Sequence, residues 1–128
     1  MRLRTKLEIL TACAAVPCAL ELFQADRAFS WLAHVPAGGE PVSPTLLAFH
    51  VDRILRRGKG IWRHSCLRRA AVLALLLRRS GHDAHVVIGV RRGASGLLEA
   101  HAWLACDGRE PFLEPPESIA SFRPMLRA

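Results

Sequence analysis

The stretch from Ser65 to Arg79 is apolar almost all the way round: Leu67, Ala70, Ala71, Leu73, Leu75, Leu76 and Leu77 leave no wide polar face on a helical wheel. A helix of that kind has to be covered on every side, so it must run through the middle of the molecule. Ser65 is placed to cap its first turn, and Gly81 follows the basic last turn as a stop. Directly afterwards the period of the pattern shortens from helical to strand-like. Residues 84–91 and 97–106 read as strands joined by Arg92-Gly93-Ala94-Ser95-Gly96. Asp107-Gly108 then marks a tight turn into a short third strand over 111–114. Helices followed by an antiparallel sheet of about three strands predict an α+β domain.

Upstream, Leu3, Leu7, Leu10, Ala14, Cys18 and Leu22 recur at helical spacing over 3–23, and Pro17 is expected to kink or split that helix. A short helix is expected over 25–34, and 36–41 reads as a loop rich in proline and glycine. Ser43-Pro44 looks like a cap and first-turn proline opening a helix over 45–57, which Gly58-Lys59-Gly60 ends. The expected organisation is one domain over 1–128. Residues 1–43 form a helical segment and loop, and 44–128 form the core that carries the chemistry.

The apolar run between Glu8 and Glu21 is too short to cross a bilayer, and no cleavage site follows it. It is read as a buried helix rather than a peripheral membrane contact. With 51% hydrophobic residues and no low-complexity tract, the chain should fold. Its net charge of +7 would attract acidic partners, but aromatics are not interleaved with the arginines and tyrosine is absent, which argues against nucleic acid. The four cysteines form no CxxC pair and match no zinc-ligand spacing, so neither disulfide, metal nor cofactor is expected. Reduced thiols suggest a cytoplasmic protein.

Cys66 would open the central helix, where the positive end of the helix dipole favours a thiolate and the free Cys66 backbone amide could hold an oxyanion. His101, on the second strand, is the base such a thiol needs, although a lone histidine on an apolar strand is often only packing. His64, two residues before the cysteine, would point away from it. The acid that holds the imidazole is expected to be Glu114, on the strand returning beside His101. Asp107, in its turn, is the alternative. Trp62 and Trp103 are candidate walls of a substrate site, with packing as their default role. Gly89, inside a strand, signals a bulge or a close backbone approach.

Taken in order, several segments resemble the transglutaminase-like B proteins of lasso-peptide biosynthesis. They are Ser65-Cys66-Leu67-Arg68-Arg69-Ala70, Leu76-Leu77-Arg78-Arg79-Ser80-Gly81-His82-Asp83-Ala84, Val87-Ile88-Gly89-Val90, and Glu99-Ala100-His101-Ala102-Trp103-Leu104 with Asp107-Gly108. The resemblance implies a papain-like, transglutaminase-type fold and a cysteine protease that removes the leader from a precursor peptide. A separate ATP-dependent cyclase then closes the freed core. Carried over, Cys66 is the nucleophile and His101 the base. The acid is usually aspartate in that family, so Glu114 is a departure. The resemblance also implies a separate leader-recognition protein as partner, since the small domain that some members carry for that task has no room here. The competing readings are a transglutaminase-like amidase or acyltransferase on another substrate, and a non-catalytic partner module whose basic face docks an acidic leader.

Overall fold

The computed structural model describes residues 2–22, 27, 30 and 34–128. Apart from 27, 30 and 34, the helix expected over 25–34 lies outside them. Three helices are described: α1 (Leu3–Leu22), α2 (Pro44–Arg57) and α3 (Cys66–Arg79). Four strands follow: β1 (Ala84–Arg92), β2 (Leu98–Cys106), β3 (Arg109–Phe112) and β4 (Arg123–Arg127). They form one antiparallel sheet in the order β3-β2-β1-β4. The α+β architecture is therefore as expected, with one strand more. Arg123-Pro124-Met125-Leu126-Arg127 is exposed at every position and shows no alternation, so its pairing with β1 left no mark in the sequence. The third strand also starts two residues earlier than expected. Asp107 (φ 51°) and Gly108 (φ 81°) both take the left-handed conformation of a two-residue hairpin turn and return the chain at once.

Helix α3 is the centre of the core. Ala70, Ala71, Val72, Leu73, Ala74, Leu76 and Leu77 are all buried, as an all-round apolar helix requires. Helix α1 does not bury the stripe expected of it. Leu3, Leu7 and Leu10 are exposed, and the inward face is Ile9, Ala12, Cys13, Val16 and Pro17. Both stripes are apolar. The inner one carries smaller side chains, which lets α1 approach the alanine-rich α3 closely. Pro17 neither splits the helix nor ends it. The proline is fully buried, and one turn earlier the Ala14 carbonyl accepts the Trp62 indole N–H at 3.0 Å from outside the helix. A proline weakens the backbone bonding of the preceding turn, and here the core and the indole compensate for it.

Period-two alternation splits the sheet's side chains between two environments. Ala84, Val86, Ala102, Leu104 and Cys106 join the helices in the main core. Val87, Trp103 and Ala105 face the opposite way and are covered by Ile119 and Phe122 from the segment after β3. Gly89 lies on that second face. A Cβ there would come within 2.5 Å of the Trp103 ring, and the β1–β4 register shifts beside it. The glycine thus serves both a close approach and a bulge.

Candidate active site

Cys66 is the first residue of α3 and is exposed. Ser65 stands at the cap with extended backbone (φ −149°, ψ 160°), and its hydroxyl oxygen accepts the Arg68 N–H at 3.2 Å. The Ser65 carbonyl accepts the Arg69 N–H at 2.9 Å. The helix supplies no partner for the N–H groups of Cys66 and Leu67, so two aligned donors remain at the sulfur's own position.

The basic residues around Cys66 brace the chain that leads to it. The Arg69 Nε and His64 Nε2 both meet Asp52 Oδ1 on α2, at 2.8 and 3.0 Å. Arg68 donates to the Arg63 carbonyl at 3.1 Å. Gly58 is part of the same junction, since a Cβ there would sit 2.1 Å from the Trp62 carbonyl oxygen. Asp52 is the organising residue of this junction and was not singled out from the sequence. An aspartate in mid-helix carries no signal of what two later side chains will bring to it.

His101 lies near the start of β2, on the second face of the sheet. Its ring packs 5.9 Å from Trp103 and 5.4 Å from Phe122, centroid to centroid. Its Nε2 meets Glu114 Oε2 at 3.0 Å, with 24% and 16% of the two side chains exposed. The Ser118 hydroxyl bonds the same Glu114 oxygen. Leu113 (φ 63°) takes the left-handed turn that ends β3 and swings Glu114 back over β2. The covering segment is held down by Arg91, whose guanidinium lies 4.4 Å from the Phe122 ring centroid. Arg91 also donates to Ser121 Oγ at 2.7 Å and Glu99 Oε2 at 2.9 Å.

The structure therefore brings His101 and Glu114 into direct contact and leaves Nδ1 as the ring's other nitrogen. Cys66 Sγ makes no hydrogen bond to His101. Two expectations are corrected. Asp107 does not reach His101. Its carboxylate takes the His82 Nδ1 at 2.7 Å and the Asp83 N–H at 2.9 Å, and those bonds hold it below the usual carboxylate range. Trp103 is only 1% exposed, so it offers no wall to a substrate. Its ring packs under Gly89 and its indole N–H donates to Glu110 Oε1 at 3.0 Å. Trp62 is 44% exposed while its indole stays tied to α1.

A family model described as the transglutaminase-like superfamily matches residues 12–127, all of the core elements together with most of α1. The chain belongs to the transglutaminase-like superfamily. The three helices and the four-stranded antiparallel sheet among the described residues fit that fold. Members of this superfamily are generally cysteine peptidases and acyltransferases, which makes this transglutaminase-like chain one of the cysteine peptidase and acyltransferase kind. No curated protein and no solved structure matches it. No helix among the described residues of this transglutaminase-like chain is long and apolar enough to cross a membrane.

Proposed function

We propose that the chain is a cysteine peptidase that removes the leader from a lasso-peptide precursor, with Cys66 as nucleophile, His101 as base and Glu114 as the acid that holds it. The observation that carries this reading is the His101–Glu114 pair on β2, together with a capped helix start that presents Cys66 and two free N–H groups. Membership of a superfamily of cysteine acyl-transfer enzymes supports it.

The chemistry follows from these groups. The Cys66 sulfur attacks the carbonyl carbon of the last leader residue, and the N–H groups of Cys66 and Leu67 receive the oxygen as it becomes anionic. With Nε2–H donated to Glu114, Nδ1 is the nitrogen that takes the thiol proton and passes it to the leaving amine of the core. Water, deprotonated at the same nitrogen, then attacks the thioester and releases the leader as a carboxylate. Cys66 Sγ and the His101 imidazole are not hydrogen-bonded in this structure, so the reading requires that substrate binding bring the sulfur and Nδ1 together. No step needs a cofactor.

The partners proposed are the precursor peptide, a separate leader-recognition protein and the ATP-dependent cyclase that receives the core. Arg53, Arg56, Arg57, Lys59 and Arg63 are exposed and make no ion pair among the described residues, which favours an acidic docking partner. The test is to incubate the protein with a candidate precursor, with and without the leader-binding partner, and read products by mass spectrometry. Cleavage at one peptide bond, lost in Cys66→Ala while that variant stays folded and still binds the partner, is the expected result. Cleavage unchanged in Cys66→Ala would overturn the reading, whereas no cleavage by the parent protein would leave the non-catalytic partner role.

A further inference from the structure

At the far end of β2 from His101 the fold gathers three side chains that the proposed mechanism does not use. His82 lies in the turn between α3 and β1, Cys106 ends β2, and Asp107 opens the hairpin to β3. One ligand-type atom from each lies within 4.8 Å of the other two. We propose that His82, Cys106 and Asp107 form a divalent metal site of the zinc type, closed by water from the exposed side.

The donor set is one imidazole nitrogen, one sulfur and one carboxylate oxygen, which suits borderline Zn²⁺ and does not suit the hard, all-oxygen preference of Mg²⁺ or Ca²⁺. Tetrahedral bonds of about 2.3 Å to sulfur and about 2.0–2.1 Å to nitrogen and oxygen put ligand atoms roughly 3.5 Å apart. The most distant pair thus needs to close by up to about an ångström, while His82 Nδ1 and Asp107 Oδ2 need to open by somewhat less to admit the ion, both within reach of small rotations. At present these two atoms are hydrogen-bonded to each other at 2.7 Å, a bond that the metal would replace.

The surroundings hold the ligands in place. Asp83 N–H fixes Asp107 Oδ1 at 2.9 Å and leaves Oδ2 as the coordinating oxygen. The Asp107 N–H donates to the Asp83 carbonyl at 3.0 Å, and the His82 N–H donates to the Leu77 carbonyl at 2.9 Å, so both turns are anchored to regular structure. Such outer bonds normally orient metal ligands. Cys106 is buried, which pushes its thiol up to about 11, with the neighbouring Asp107 adding to the rise. Without a metal it therefore stays protonated. On binding, a metal–sulfur bond forms and the thiol proton leaves to solvent. The hydrogen on His82 moves to Nε2, freeing the Nδ1 lone pair for the metal. No change of oxidation state is involved.

The experiment uses the full chain, freed of metal, and adds Zn²⁺ or Co²⁺ alone. One equivalent should bind with micromolar or tighter affinity. Co²⁺ should give the near-ultraviolet thiolate-to-metal band. Zn²⁺ at about 100-fold over its Kd should raise Tm on the order of 10 °C. Cys106→Ser should remove the band, and Asp107→Asn, at an exposed turn, should weaken binding at least tenfold while the protein remains folded. Cys66→Ala should bind as the parent does. Absence of saturable binding, or a band that survives Cys106→Ser, would overturn the proposal. So would binding lost with Cys66→Ala, which would place the metal at the other cysteine.

Discussion

The two ends of β2 carry the same three kinds of side chain and put them to different uses. At one end His101 and Glu114 meet at 3.0 Å, and Cys66 opens the neighbouring helix in the open. At the other, His82 and Asp107 meet at 2.7 Å beside Cys106, which is buried. Residue type does not separate the two sets, but distance does: among the described residues only His82, Cys106 and Asp107 hold their ligand-type atoms within 4.8 Å of one another. The cysteine's surroundings separate them as well. A thiol at a helix start is accessible and faces free N–H groups, as a nucleophile requires, whereas a buried thiol with a raised pKa is inert unless a metal replaces its proton. The carboxylates differ in the opposite sense. Glu114 is 16% exposed beneath a clamped segment, and Asp107 is 51% exposed in a turn.

Substitutions at matched positions would break or sharpen this contrast. The largest effect is expected at the sulfurs. Cys66→Ala should reduce peptide cleavage to background, a loss of roughly 10⁴-fold or more. Cys106→Ser should leave the cleavage rate of the folded fraction within a few-fold, read as kcat on protein titrated for folded content. At the histidines, His101→Ala should cost about 10²–10⁴-fold in kcat, while His82→Ala affects stability and not kcat. The carboxylates come next. Glu114→Gln keeps the size of the side chain but weakens its hold on the imidazole. It should lower kcat by at least about tenfold, against no loss in Asp107→Asn.

How far each set could be read from the chain depends on what holds it. Cys66 at a capped helix start was legible because Ser65, the apolar run and Gly81 are local signals. The hairpin at Asp107-Gly108 was legible for the same reason. Glu114 beside His101 was legible as a carboxylate on the returning segment, but the left-handed Leu113 and the Ser118 that position it were not, since neither residue type announces such a role. The His82, Cys106 and Asp107 cluster could not be read at all. His82 and Asp107 are 25 residues apart, and only the β1–β2 register, which sets Ala84 against Cys106, brings them together. The exposed leucines of α1 and the featureless β4 make the same point about the fold. Where two apolar stripes compete, or a strand has no buried face, tertiary packing decides.

Smaller effects test the packing behind the contrast. Gly89→Ala would drive a methyl group into Trp103, the residue beneath His101, and should destabilise the fold by about 1–3 kcal/mol in denaturant unfolding. The influence of burial on thiols can be checked away from both sets, at Cys13 in α1, whose thiol burial pushes up to about 11 from 9.0. A raised thiol pKa means the folded state holds the proton longer. Its stabilising contribution is complete below pH 9 and is lost as pH rises toward 11. Cys13→Ala should therefore flatten the alkaline fall of Tm over that interval, provided other titrating groups are unchanged.

The central claim is covalent acyl transfer through Cys66, and hydroxylamine tests it most directly. Added during cleavage of a precursor peptide, it competes with water for a leader thioester, and mass spectrometry distinguishes the two products. The account predicts a leader hydroxamate that grows with hydroxylamine concentration and vanishes in Cys66→Ala. Cleavage that persists in Cys66→Ala and yields only leader carboxylate would contradict it.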